Sequence, residues 1–367
     1  LPPPPKTLGR LGDVFISALA AVSGKENALS LPQRHSVIVL LVDGLGTFNL
    51  EQAGGHARFL NSQPLEKSSC FFPATTSTSL SSLLTGSKPW ETGFVGYLVL
   101  DRQTKTPMNL LTGWSDYEEG TDFHSLPTLA EAADEHGVEF HVVSLPSYEF
   151  SGLTGATTRG AIFHGISDLE ERFAKANSLT ATGKPKLVYL YVPELDQLAH
   201  GFGSKSLKWL NELEYIDASI RKLSDELSKN TGLIVTADHG VIDIAPENHV
   251  YLDEFMDESC FDYVGGDTRG LFLYFSQEIE KVDSIERISQ KYEDVAWTVT
   301  PKQLIAAGYW HDTERLRRFA PDVIVLARKS IALFHRSFAR KKSLGNLGHH
   351  GSITPEELSV PLIRINF

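Results

Sequence analysis

The chain has 367 residues, 41% of them hydrophobic and 22% charged, a balance that excludes a disordered, collagenous or coiled-coil protein. With 46 Asp+Glu against 34 Lys+Arg, the net charge of −12 argues against broad contact with polymeric nucleic acid or an anionic membrane, and an anionic ligand would need local positive charge. The length suits one large α/β domain or two unequal ones.

The chain opens on a polyproline stub, Pro2 to Pro5. The apolar run 14–22 is too short to span a bilayer. Lys6, Arg10 and the small residues that follow also fit a signal peptide. An amphipathic helix is the preferred reading, because Asp13 stands where an N-cap would. Cys70 and Cys260 lie far apart with no CxxC spacing, so neither a disulfide framework nor a cysteine metal site is expected. That suits a reducing, cytoplasmic setting, with a secreted or cell-surface one as the alternative.

Ser36–Val42 is a continuous apolar run rich in β-branched residues, which predicts a central parallel strand covered on both faces. Residues 138–143, 186–192 and 232–236 repeat the pattern. Helical periodicity falls between them at 126–136, 167–176 and 207–227. Such alternation predicts an α/β fold, a mostly parallel central sheet flanked by helices on both faces. The texture then changes to mixed strands and helices, among them 271–275, 284–292 and 322–326. We therefore read residues 1–367 as a single catalytic domain, with 254–345 as a smaller α+β lobe inserted before the C-terminal motif.

Polar residues with chemistry gather at the carboxyl ends of these strands, where open α/β sheets place their ligands. Asp43 follows the first strand, Asp196 and His200 follow the run ending at Val192, and Asp238 and His239 follow 232–236. A single strand-end Asp is most often a turn former or helix cap. Three such sites on separate strands point to one centre, and imidazole with carboxylate is a donor mixture that zinc accepts. Asp196 and His200 are four apart, so one helical turn puts them on one face. Near the C-terminus Gly348-His349-His350-Gly351 adds two imidazoles between glycines that permit close backbone approach.

The segment 71–86 supplies a nucleophile. A strand-like run ends at Pro73, and a helix starts near Thr76 with Leu80, Leu83 and Leu84 on its buried side and Gly86 near its end. A hydroxyl at such a start meets free N–H groups and the positive end of the helix dipole. Plain capping is the competing reading.

In this order the five pieces resemble the alkaline phosphatase superfamily, and within it the type I phosphodiesterase/nucleotide pyrophosphatase family. The matching residues are Asp43 of VDG, Thr76 of FPATT, Asp196 and His200 of ELDQLAH, Asp238 and His239 of TADHG, and His350 of HHG. The resemblance implies an alkaline-phosphatase-like fold and two Zn²⁺ ions, other divalent metals being the alternative. Asp196, His200 and His350 would hold one ion, and Asp43, Asp238, His239 and the Thr76 oxygen the other. Three carboxylates and an ionised Thr76 balance the four positive charges, so a phosphodiester could enter. The implied reaction is hydrolysis of phosphodiester or pyrophosphate bonds in small molecules or nucleotides through a phosphothreonine on Thr76. The alternatives are a phosphomonoesterase, for which no motif supplies the extra cation, and a binding protein that has lost turnover.

Two positions depart from the family pattern: Thr75 where Lys is common, and Ser79 where Asn is. Ser79 and Tyr97 are therefore the expected substrate contacts, while Trp90, Tyr97 and Trp114 are aromatic residues that either stack on a ligand or pack in the core. The setting of Cys70 does not match a sulfatase, and neither a GxSxG elbow nor a P-loop is present.

Overall fold

A computed structural model describes residues 1–7, 9–113, 123, 126–181, 183–276 and 281–367. The central sheet takes its strands in the order Leu65–Ser69, Ser359–Ile365, Thr231–Thr236, Ser36–Val42, Lys186–Val192, Glu139–Ser144 and Ile162–Gly165. Pairings outward from Ser36–Val42 are parallel, and Ser359–Ile365 runs antiparallel to both of its neighbours. Every residue of the three middle strands is buried, as a strand covered on both faces requires. One layer of helices contains Asp13–Val22, Thr76–Thr85 and Leu129–Glu135; the other contains Leu169–Thr180, Glu194–Phe202 and Leu207–Glu226. No helix among the described residues is long and apolar enough to cross a membrane.

A second, six-stranded sheet is antiparallel throughout: Ala296–Val299, Val323–Ala327, Gly270–Phe275, Phe261–Asp267, Leu98–Asp101 and Thr106–Asn109. Leu252, Phe261, Leu273, Val323 and Leu333 belong to a second apolar cluster, and Phe272, Tyr274 and Leu326 join the main core. Alternate residues of Gly270–Phe275 thus serve two cores, the expected outcome for a strand of period two buried on both faces.

Three local expectations need correction. Gly12, not Asp13, occupies the N-cap; Asp13 begins the helix and its Oδ2 accepts a hydrogen bond from the Arg10 N–H at 2.8 Å. The strand before the nucleophile segment stops at Ser69 rather than Pro73, because its partner begins at Ser359 and the ladder ends with that pair. All ten residues of Thr76–Thr85 are buried, not one leucine face. Several of its hydroxyls offset burial by hydrogen bonding, Ser77 Oγ donating to Gly96 O at 2.7 Å and Thr85 Oγ1 to Ser81 O at 2.6 Å, whereas Thr78 Oγ1 and Ser82 Oγ have no partner among the described residues.

Candidate metal centre and reaction cavity

The strand Ser36–Val42 delivers Asp43, whose N–H continues the parallel ladder to Val192 O at 2.9 Å. The next residue, Gly44, turns with φ of 73° and donates its N–H to Asp238 Oδ1 at 3.1 Å, tying two strand ends together. Asp238 Oδ1 also accepts the N–H of His239 at 3.0 Å. Asp196 lies in the first turn of Glu194–Phe202 with His200 one turn on, His200 Nε2 being 3.2 Å from Asp196 Oδ2. Thr76 is the first residue of its helix and places Oγ1 3.2 Å from His239 Nε2.

All seven residues expected at a two-metal centre meet in this region. Asp196, His200 and His350 bring one ligand atom each to within 4.8 Å of one another, and so do Asp43, Asp196 and His239. Asp238 stands beside the second group, with Oδ2 3.4 Å from His239 Nε2. Two observations fit this donor set to bound cations. Asp43 Oδ1, Asp196 Oδ1 and Asp238 Oδ2 are buried with no hydrogen-bond partner, a costly arrangement for carboxylate oxygens unless positive charge joins them. In addition, each imidazole turns Nδ1 to a backbone carbonyl: His200 to Gly348 O at 2.8 Å, His350 to Ala74 O at 2.9 Å, His239 to Gly240 O at 3.3 Å. That leaves Nε2 as the atom facing Asp43, Asp196 and Asp238, the orientation in which outer contacts hold metal-binding histidines.

Burial, then repulsion from Asp238 and Asp196, pushes the Asp43 carboxyl well above the usual carboxylate range. Burial would also raise Asp196, but His200 beside it wins and holds its carboxyl low. Burial works against a charged His200, yet Asp196 lifts it to about 9. Burial lowers His239, keeping its lone pair available. A cation in place of the missing protons satisfies the same groups.

His349 is buried and turns elsewhere: its Nδ1 accepts from Thr268 Oγ1 at 2.8 Å and its Nε2 donates to Asn346 O at 3.0 Å. Of the two expected substrate contacts, Tyr97 lines a cavity of about 670 Å³ that also exposes Asp43, Thr75, Thr76 and His350. Ser79 does not line it; its hydroxyl is fully buried and donates to Asp238 O at 2.7 Å. Trp90 is a packing residue, stacked on His311 at 4.9 Å and edge-on to Phe71. Trp114 lies outside the described residues.

Four contributors had no sequence signal. Tyr191 OH donates to Asp43 Oδ2 from inside a strand. Asp267, at the end of a second-sheet strand, sits 3.6 Å from His350 Nδ1 and accepts from Thr75 Oγ1 at 3.3 Å. Arg340 and Lys342 line the cavity, supplying cations that no motif announced.

A sequence model of the type I phosphodiesterase / nucleotide pyrophosphatase family matches residues 37–353, a span holding all seven of these residues. No curated protein sequence matches. Murine ectonucleotide pyrophosphatase / phosphodiesterase 5 has a similar structure, with a TM-score of 0.70 and 16% identity over 89% of this chain and 87% of that one. An inactive variant of it in complex with AMP gives 0.69. Phosphonoacetate hydrolase from Sinorhizobium meliloti 1021, in complex with phosphonoformate, gives 0.67 at 17% identity, over 91% of this chain and 90% of that one. At such identities the structures speak for the alkaline-phosphatase-like fold, while the family model, matched over most of the sequence, assigns the chain: it belongs to the type I phosphodiesterase / nucleotide pyrophosphatase family.

Proposed function

We propose that the chain hydrolyses phosphodiester or pyrophosphate bonds of small molecules, with Thr76 as nucleophile and two divalent cations, zinc in this reading. The observation that carries it is Thr76 Oγ1 at a helix start, 3.2 Å from His239 Nε2 and among three buried carboxylate oxygens without partners. Relatives in complex with AMP and with phosphonoformate agree with a small phosphorus-containing substrate.

Asp196, His200 and His350 would hold one cation and Asp43, Asp238, His239 and Thr76 the other. When bound, the cations supply Lewis acidity, lowering the hydroxyl pKa and offsetting charge on the phosphoryl group. The chain's own part is positioning. Tyr191 fixes the Asp43 carboxylate, and the contact with His239 aims the Thr76 oxygen into the cluster. The first N–H groups of the helix have no partner within it and receive the non-bridging phosphoryl oxygens. Thr76 Oγ1 gives up its proton and bonds to phosphorus as the bond to the departing alcohol or phosphate breaks and that group takes a proton; water then attacks the phosphorus, the bond to Oγ1 breaks, and the phosphate product leaves with the threonine hydroxyl restored.

A phosphomonoesterase is the second reading, favoured by the presence of Arg340 and Lys342 in the cavity. Turnover of bis(p-nitrophenyl) phosphate and of p-nitrophenyl phosphate, each with and without chelator, tests both. The proposal expects chelator-sensitive turnover with the diester preferred; absence of turnover on either substrate after metal supplementation would refute it.

A further inference from the structure

The reacting centre is rich in carboxylates, and among the described lining residues only Arg340 and Lys342 bring permanent positive charge to the cavity. Both are exposed at its rim, on the segment that leads back to His350. Neither side chain forms an ion pair among the described residues. Arg340 Nη1 instead donates to Tyr97 OH at 2.9 Å.

Tyr97 ties that cation to the nucleophile. Its neighbour Gly96 offers the carbonyl that takes the Ser77 hydroxyl at 2.7 Å, and Ser77 follows Thr76 directly. The phenol oxygen accepts from Arg340 and also from Asn109 Nδ2 at 3.4 Å. With both lone pairs engaged, its own O–H remains a donor, and it has no acceptor among the described residues. The remaining guanidinium N–H groups of Arg340 and the ammonium of Lys342 also lack acceptors there. Several donors without acceptors, two of them cationic, line one side of a cavity whose reacting centre has carboxylates without donors.

We propose that Tyr97, Arg340 and Lys342 form a second anion site that binds a carboxylate or phosphoryl group on the organic part of the substrate while the scissile phosphoryl group sits at Thr76. The inference rests on the hydrolase reading and deepens it: the preferred substrate carries two anionic groups. The guanidinium suits either oxyanion, because its paired N–H groups match the spacing of two oxygens. An exposed site of this kind gives selectivity of about twofold to fivefold, and salt weakens it.

The test uses p-nitrophenyl phenyl phosphate and its 4-carboxyl and 4-phosphonyl derivatives on the phenyl ring. In the metal-loaded wild type, kcat/KM for at least one derivative should exceed that of the parent by about twofold to fivefold, and the two derivatives together show which oxyanion is preferred. The ratio should approach one in Arg340→Ala, persist in part in Arg340→Lys and fall below one in Arg340→Glu. Binding of the same esters to the Thr76→Ala variant, read by calorimetry, should show the same order without turnover. A ratio near one in the wild type, or one that survives in Arg340→Ala, overturns the second site. An equal loss on parent and derivatives in Arg340→Ala also overturns it, placing Arg340 on the reacting phosphoryl group. If the wild type cleaves none of the three esters, the hydrolase reading itself fails.

Discussion

Glu357 is the place where stability and the placement of His350 meet, and its replacement by Gln tests both. The carboxylate is fully buried: Oε2 accepts from Arg269 Nη2 at 3.0 Å and from Thr354 Oγ1 at 2.7 Å, and Oε1 accepts from the Ser352 N–H at 2.8 Å. Arg269 is equally buried, its Nη1 bound to the carbonyls of Lys329 and Ile331 at 2.8 and 2.9 Å. The pair therefore joins the second sheet to the segment carrying His350. Glu357→Gln keeps the volume but strands a buried guanidinium, which costs about 3 kcal/mol. An unfolding entropy of about 2.1 cal/mol/K per residue over the whole chain gives about 0.8 kcal/mol/K, so Tm should drop by about 4 °C. Arg269→Met in the same chain removes the stranded charge and should recover at least half of that loss. Calorimetric Tm values for wild type, both single variants and the double variant decide it. A shift below about 1 °C in Glu357→Gln, or simple addition of the two losses, would refute a charge-compensation role.

The other predictions concern the centre and its surroundings. Thr76→Ala should lose all turnover while keeping at least one metal equivalent by elemental analysis, and Thr76→Ser should retain part of the activity because a hydroxyl remains. Protein purified without chelator should hold close to two metal equivalents; His350→Ala should lower that figure and His349→Ala should not, since His349 is spent on Thr268 and Asn346. The reverse pattern would exchange their roles. Burial draws His164 down from about 6.5 to about 4, and burial also lowers its partner His141, whose Nδ1 lies 3.0 Å from His164 Nε2. Between those pH values the unfolded chain binds protons that the folded one refuses, so stability falls as pH drops through this window. Tm of His164→Gln should fall less than that of wild type between pH 7 and pH 5, and equal falls would count against the assignment.

The parallel strands were legible because strands buried on both faces must be apolar throughout, and Ser36–Val42 and Lys186–Val192 end where the pattern does. The antiparallel sheet was harder: Leu98–Asp101 pairs through Gly266, far along the chain, and no local pattern carries such a pairing. Asp43, Asp196, His200, Asp238, His239 and Thr76 stood out because strand ends, i,i+4 spacing and a helix start leave marks in sequence. Asp267, Tyr191 and Arg340 reach the cavity from elements whose local patterns do not distinguish them from turn, core and surface residues. Ser79 shows the converse: its position matched a family contact, but the close approach of Asp238 takes its hydroxyl.

The most direct test of Thr76 as nucleophile is peptide mapping by mass spectrometry after acid quench of the metal-loaded enzyme turning over bis(p-nitrophenyl) phosphate. A phosphoryl adduct, still esterified to one nitrophenol, should appear on Thr76. An adduct on Thr75, Ser77 or Thr78, or full turnover by Thr76→Ala, would contradict it.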